Sequence, residues 1–265
     1  MEIKGVVHVH SAYSYDGKES LQSLKDLLLQ KGITFCCLTE HADQLTLEAA
    51  QRFVQECRVL SGSQFVFIPG FEVPYKDAHI LFIGTEMFMG QGADADTLRA
   101  WSDKAALTVL AHPVHNKFRV DAALEGVIDG VEIWNQQYEG KIVPRIRSAR
   151  LLRDLQEKRQ SMLATGGLDF HRREHFGAPY YVLDVEHVAP EAILGALTEG
   201  AYTFGSDTVR VSSSGLWKGS DTFAHALLSA LSIAVIVFGK KVNAFLARFG
   251  MELPRSLKQA IRSRV

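Results

Sequence analysis

Residues 3–16 read I-K-G-V-V-H-V-H-S-A-Y-S-Y-D, and the reading of the whole chain starts from this stretch. Residues 3–9 are a β-branched run that predicts a strand. The run ends in His8 and His10, with Asp16 in the loop beyond. Pleat alternation places residues i and i+2 on one side, so both imidazoles are expected to reach one centre.

Outward from there the same arrangement recurs. Leu21, Leu24, Leu27 and Leu28 predict a helix over 20–31, stopped by Gly32. A strand over 33–39 ends in T-E-H-A-D, giving Glu40, His41 and Asp43. A helix over 46–60 precedes a strand over 65–69, which leads into P-G-F-E-V and Glu72. His79 opens another short strand, to residue 84. A helix over 94–105, with Asp94 or Asp96 as its cap, precedes a strand over 107–111 that runs into His112. A strand over 130–134 is followed by Asn135 and an Arg-rich helix over 144–158. A strand over 161–165 runs into G-G-L-D-F-H, giving Asp169 and His171. Strands over 180–184 and 202–204 flank a helix over 190–199. This alternation predicts an α/β fold of about seven mostly parallel strands, and a closed or distorted barrel suits the count better than an open sheet.

The chain has 265 residues, enough for one such domain and a short extension, and 47% are hydrophobic, so a large core is available. A net charge of −1 shows no general bias toward nucleic acid or membrane. Cys36, Cys37 and Cys57 lack zinc-type spacing and read as core thiols of a reducing compartment. The N-terminal M-E-I-K-G-V-V-H-V-H has no apolar signal segment, so a cytoplasmic location is expected. Residues 1–205 read as the catalytic domain and the Ser- and Gly-rich 206–221 as a linker. Residues 222–239 are uncharged and mostly apolar, and residues 240–265 carry seven basic residues against one acid, Glu252. Residues 222–265 therefore read as an apolar helix plus a basic C-terminal tail. The helix is expected to pack on the barrel or on a second subunit, which leaves a homo-oligomer open. Membrane association is the less favoured reading: the length is borderline, and a span would export the basic tail.

Ionisable residues at nearly every strand end are costly unless they act, and in barrels that rim is where active sites are built. Six of the ten histidines lie there with several carboxylates, a ligand set for manganese, iron or zinc. The nine candidates His8, His10, Asp16, His41, Glu72, His79, His112, Asp169 and His171 are too many for one ion and imply two or three divalent ions. In such a site a carboxylate bridges metals, and a bridging water becomes a hydroxide nucleophile. Glu40 is placed to orient a ligand histidine from behind, while Asp43 suits a helix cap equally well. His115, His175, His187 and His225 fall off the pattern and read as structural or solvated, although His115 and His175 sit in rim loops.

H-V-H-S-A-Y-S-Y-D-G, T-E-H-A-D, P-G-F-E-V, A-H-P and G-L-D-F-H, taken in order, resemble the successive motifs of the PHP domain, the polymerase and histidinol phosphatase family. The resemblance covers about residues 3–205. It implies a distorted (β/α)7 barrel, here with a C-terminal helical extension, and a trinuclear site that hydrolyses phosphoesters. By the family pattern His8, His10, Glu72 and Asp169 would hold a first metal. Glu72 would bridge to a second, held also by His79 and His112, and Asp16, His41 and His171 would hold a third. The attacking hydroxide would then be held at Glu72, Asp169 and His10. Family motifs commonly read S-D-x-H where this chain has Leu168, Asp169, Phe170 and His171; the change leaves both ligands and removes a supporting hydrogen bond.

Phosphate clamps should be basic residues on rim loops. Lys117, Arg119, Lys141, Arg145, Arg172 and Arg173 are the candidates, with Arg119 and Arg145 the best placed, and Asn135 is either a substrate contact or a turn residue. Short loops without a lid insertion favour a small phosphorylated substrate, a phosphomonoester or a nucleotide. The alternative is a nuclease acting on oligonucleotide ends, which would want a basic track with exposed aromatics. A non-catalytic PHP assembly module is a third reading, and it would predict eroded ligands, whereas all nine positions keep competent types.

Overall fold

The computed structural model describes residues 1–90, 94–138 and 143–216. The elements run β1 (Glu2–Val9), α1 (Leu21–Gln30), β2 (Phe35–Leu38), β3 (Glu40–His41), α2 (Leu47–Leu60), β4 (Val66–Ile68), β5 (Gly70–Tyr75) and β6 (Ala78–Ile83). Then follow α3 (Ala95–Ser102), β7 (Leu107–Ala111), α4 (Ala122–Glu125), β8 (Gly130–Asn135), α5 (Ile146–Lys158) and β9 (Leu163–Gly167). The last are β10 (Tyr180–Asp184), α6 (Pro190–Thr198), β11 (Tyr202–Gly205) and β12 (Arg210–Ser212).

The helices start where side chains can cap them. Ser20, Thr46, Asp94 and Asp121 each accept a backbone N–H of the first turn of α1 to α4, which settles the choice between Asp94 and Asp96. In α1, Leu21, Leu24 and Leu28 are buried at helical spacing. Truncating Leu24 to alanine would cost about 2–5 kcal/mol. The Arg-rich α5 buries Ala149, Leu152 and Leu155 on one face and leaves Arg147 and Arg150 in solvent.

The strands form two six-stranded sheets, in the orders β12-β11-β10-β1-β2-β4 and β3-β5-β6-β7-β8-β9. The expectation of mostly parallel pairing is corrected. The pairs β1/β2, β2/β4, β3/β5, β7/β8 and β8/β9 are parallel, but β1/β10, β10/β11, β11/β12, β5/β6 and β6/β7 are antiparallel. One cause is the two-residue turn Lys76-Asp77, which sends β6 back along β5 with Tyr75 opposite Ala78. The other is the C-terminal edge, where β10, β11 and β12 add one after another antiparallel beside β1, with α6 between β10 and β11.

The two sheets are stitched together at the rim. The chain passes directly from one to the other between β2 and β3 and between β4 and β5. On the far side Leu168 N–H donates to Val7 O at 3.0 Å, and Val9 bridges Phe170 in parallel. The stretch read as a linker begins with ordered structure, because β12 pairs with β11 and buries Val211. The apolar segment 222–239, the basic tail, Lys141 and His225 lie outside the described residues. Among the described residues no helix is long and apolar enough to cross a membrane.

Candidate metal centre

All nine expected ligands converge at the seam between the sheets. Glu72, in β5, is the hub. Its Oε2 lies 3.2 Å from His8 Nε2, 3.1 Å from His10 Nε2 and 3.4 Å from His41 Nδ1. Its Oε1 lies 2.6 Å from His79 Nδ1 and 3.1 Å from His112 Nε2. Asp169 Oδ1 stands 3.6 Å from both His8 Nε2 and His10 Nε2. Asp16 closes the outer side, 3.0 Å from His171 Nε2 and 3.5 Å from His41 Nε2. Among the described residues, four triplets have donor atoms mutually within 4.8 Å: His8/His10/Glu72, Glu72/His79/His112, His8/His112/Asp169 and His10/His41/His171. Asp16 falls outside these triplets, and His10 joins the outer one that the family pattern gives to Asp16.

The pleat does not bring His8 and His10 together. The β1/β2 register shifts between Val7 and Val9, and His8 has a left-handed φ of 61°. Simple alternation therefore fails at His8, and it is the bulge that turns its ring inward. His112 and Asp169 also have positive φ, 24° and 50°. Such backbone costs about 1–3 kcal/mol per residue and persists only where surrounding structure enforces it. Here Phe170 N–H donates to His8 O and His112 N–H donates to Glu132 Oε2.

Ligand histidines need their second nitrogen engaged, so that the lone pair of the first points at the metal. His8 Nδ1–H donates to Glu132 Oε1 at 2.7 Å. His10 Nδ1 meets Ser14 Oγ at 3.2 Å, and Ser14 donates to Glu40 Oε2 at 2.5 Å while accepting His41 N–H. Glu40 thus lies behind the candidate ligand His10 and reaches it through Ser14. His10 Nε2 is then left buried and without a hydrogen bond, even at 3.1 Å from Glu72. Two acceptor-type atoms facing one point is an arrangement that fits a cation and little else.

The electrostatics agree. Glu72, Asp169 and Glu132 are all buried, and buried carboxylates need counter-charge. Without metal, protons take that part. Burial alone would lower the pKa of His8, but the Glu132, Asp169 and Glu72 charges outweigh it and raise it well above the usual value. The same histidine charge holds Glu72 well below the usual carboxylate range, against the effect of burial. Burial lowers His10 to about 3 and pushes Glu40 up to about 7.

The expected phosphate clamps are less tightly organised. Arg145 is half-buried, with its guanidinium 5.1 Å over the Phe118 ring and Nη1–H donating to Tyr138 O. Lys117, Arg119 and Arg172 are exposed, and Arg173 is drawn away to Glu19 and Ser23 of the α1 side. Asn135 takes the turn role. Its Oδ1 accepts the N–H groups of Gln137 and Tyr138, and its Nδ2 donates to Glu132 and faces Asp169 Oδ2 at 3.5 Å. Asp43 is exposed and caps no α-helix.

Four residues of the site escaped the sequence reading. Glu132 is a lone carboxylate inside the apolar strand G-V-E-I-W-N, and that oddity was its only signal. Ser14 carried none. Tyr15 stacks on His41 at 5.0 Å, and Tyr138 stands edge-on to His115 at 4.4 Å; both rings are exposed. Of the off-pattern histidines, His115 packs on His112 at the rim, His175 Nδ1 accepts His171 N–H, and His187 is exposed.

Comparison with protein families matches residues 7–172 to the PHP domain, and the chain belongs to that family. No curated protein matches it significantly. Two solved structures share the fold. One is a two-domain Bacteroides vulgatus protein containing a predicted PHP-like metal-dependent phosphoesterase, at 16% identity and a TM-score of 0.60 over 80% of this chain and 67% of that one. The other is a lesion-specific endonuclease from Pyrococcus furiosus, at 17% identity and a TM-score of 0.53 over 80% of this chain and 59% of that one.

Proposed function

We propose that this protein is a metal-dependent phosphoesterase whose substrate is a small phosphomonoester or a nucleotide. The observation that carries the reading is the set of five imidazole nitrogens within 3.4 Å of the two Glu72 oxygens, with His10 Nε2 buried and unbonded among them. The residues present fit divalent ions. His8, His10, Glu72 and Asp169 would hold one, Glu72, His79 and His112 a second, and Asp16, His41 and His171 a third. When bound, zinc, manganese or iron supplies charge neutralisation of the phosphoryl oxygens and a water acidic enough to attack phosphorus near neutral pH.

The chain's own residues do the rest. Glu132 and Ser14 hold His8 and His10 with their lone pairs inward. Buried Phe170 and Leu168 flank Asp169 and shield that wall from water. Arg145 is the preferred phosphate clamp, since stacking on Phe118 fixes its guanidinium before substrate arrives. Lys117, Arg119 and Arg172 add positive charge around the mouth. The two sheets, stitched at the rim, support a distorted (β/α)7 barrel, with residues to at least Ser212 belonging to the domain. Three buried free thiols suit a reducing, cytoplasmic setting.

One observation favours the second reading, a nuclease acting on oligonucleotide ends. Exposed Tyr15 packs on His41 and exposed Tyr138 on His112, two aromatic faces beside the cluster where bases could stack. The deciding experiment is a substrate panel on metal-verified protein. An aryl phosphate, mononucleotides and 5′-phosphorylated oligonucleotides would be compared, with Asp169→Asn and His10→Ala as controls. Equal turnover by the controls would refute the site; preference for the oligonucleotide would select the second reading.

A further inference from the structure

We infer that Glu132, outside the nine ligands, is a positioning residue that holds a proton on His8 Nδ1 and thereby leaves His8 Nε2 as the nitrogen that faces a metal. The inference rests on the metal-site reading above. Three donors converge on this buried carboxylate. Oε1 accepts His8 Nδ1–H at 2.7 Å, and Oε2 accepts His112 N–H at 2.8 Å and Asn135 Nδ2–H at 3.0 Å. Two of the three cannot reverse. His112 offers a backbone N–H, and the Asn135 amide is locked because its Oδ1 already accepts two backbone N–H groups. Only His8 can move its proton.

Glu132 also ties together three strand ends. It touches His8 of β1 and His112 after β7, and through Asn135 it reaches Asp169 after β9. The neighbouring backbone makes room for it. A Cβ at Gly167 would lie 1.9 Å from Glu132 Oε1 and 2.8 Å from His8 Cβ, so only glycine is admitted there. The second glycine of the G-G-L-D-F-H motif thereby acquires a physical reason.

The geometry gives Glu132→Gln a sharp outcome. A glutamine side chain has one acceptor oxygen. The two irreversible donors take it, which turns the amide NH2 toward His8 Nδ1. His8 must then accept at Nδ1 and carry its proton on Nε2, where Glu72 Oε2 at 3.2 Å receives it. The three groups that face Glu132 each keep a hydrogen-bond partner, so the fold should survive, but the ligating lone pair is gone.

The test uses the full chain, stripped with a chelator and titrated with zinc alone. Long-range proton–nitrogen NMR of His8 in the stripped protein should show both nitrogens protonated in the wild type, each facing a carboxylate, and Nδ1 bare in Glu132→Gln. Zinc affinity should fall about 10- to 100-fold, while the thermal midpoint of the stripped protein moves by only a few degrees. A purely packing role predicts the opposite pattern, lowered stability with Nδ1 still protonated. A variant that keeps the Nδ1 proton and wild-type zinc affinity overturns the inference. Should the variant fail to fold, a bare Nδ1 in the wild type overturns it equally. A wild type that binds no zinc would sink the metal reading instead, and the nitrogen spectrum would still decide the role of Glu132.

Discussion

The inner and outer halves of the cluster are built differently. His8, His10, Glu72, His112 and Asp169 have side chains at most 4% exposed, and each is held from behind by strand backbone, Glu132, Ser14 or Asn135. His41 and His171 are 11% and 13% exposed, His79 33% and Asp16 38%. The outer groups lean on one another and on Tyr15, and Asp16 comes from a loop. The inner half is held in place by the chain itself, and the outer half is the part open to solvent. Under the proposed function, pre-organisation would reside in the first and exchange in the second.

The strongest way to break this comparison is at the hub. Glu72→Gln should remove the charge that all five imidazoles face, with loss of bound metal and a fall in aryl-phosphate turnover of at least about 10³-fold; turnover within tenfold of wild type would contradict the hub role. On the outer side Asp16→Ala should release a single ion, read by metal analysis, and reduce turnover about 10²-fold without changing the thermal midpoint of the stripped protein. Equal metal loss from Asp16→Ala and Glu72→Gln would erase the distinction between the halves.

A smaller effect should appear in the pH dependence of the stripped protein. His10 is lowered to about 3, below its unfolded value near 6.5, so the unfolded chain binds the extra proton and stability falls as pH drops from about 6.5 to 3. Glu40 is raised to about 7, above its unfolded value near 4.5, so its contribution rises as pH drops from about 7 to 4.5. The two oppose each other between about 4.5 and 6.5, and below that window the His10 loss continues and is joined by that of Glu72, whose carboxylate is held below its unfolded range. Denaturant midpoints should therefore vary little in that window and fall under it, and Glu40→Gln should expose the His10 slope throughout. The mildest change is Tyr15→Ala, expected to raise KM between about 2- and 10-fold with kcat little altered. An unchanged KM would remove Tyr15 from the substrate path.

Most of the candidate ligands were legible because they interrupt an apolar run at its end, where a charged or imidazole side chain has no packing reason to be; Asp16, in a loop, and His79, at the start of a strand, were read from their neighbours in the pattern. The longer helices were legible, α1 from its leucine spacing and α3 from an aspartate cap, whereas the one-turn α4 was not, being too short to show a period. Strand direction was not. The β5/β6 turn is Lys76-Asp77, with Lys76 at a left-handed φ of 52°, and it lacks the Asn-Gly or Asp-Gly pair that announces such hairpins. The bulge at His8 was hidden because nothing in V-V-H-V-H marks the shifted register. Glu132 was hidden for a different reason: its partners come from β1, β7 and β8, and no local pattern encodes three donors gathered from across the fold.

That same hairpin also bears on how the centre comes together in time. Glu72 and His79 are seven residues apart, diagonal neighbours on the two strands of one hairpin with their side chains in contact, and isolated hairpins form within about 10 μs. His8 and Asp169 must close a loop of most of the domain before they meet. An ion captured early by the hairpin would wait for the distant strands to complete its shell. Refolding in the presence of zinc should then run at a different rate from refolding after chelation, and stopped-flow mixing would measure the difference.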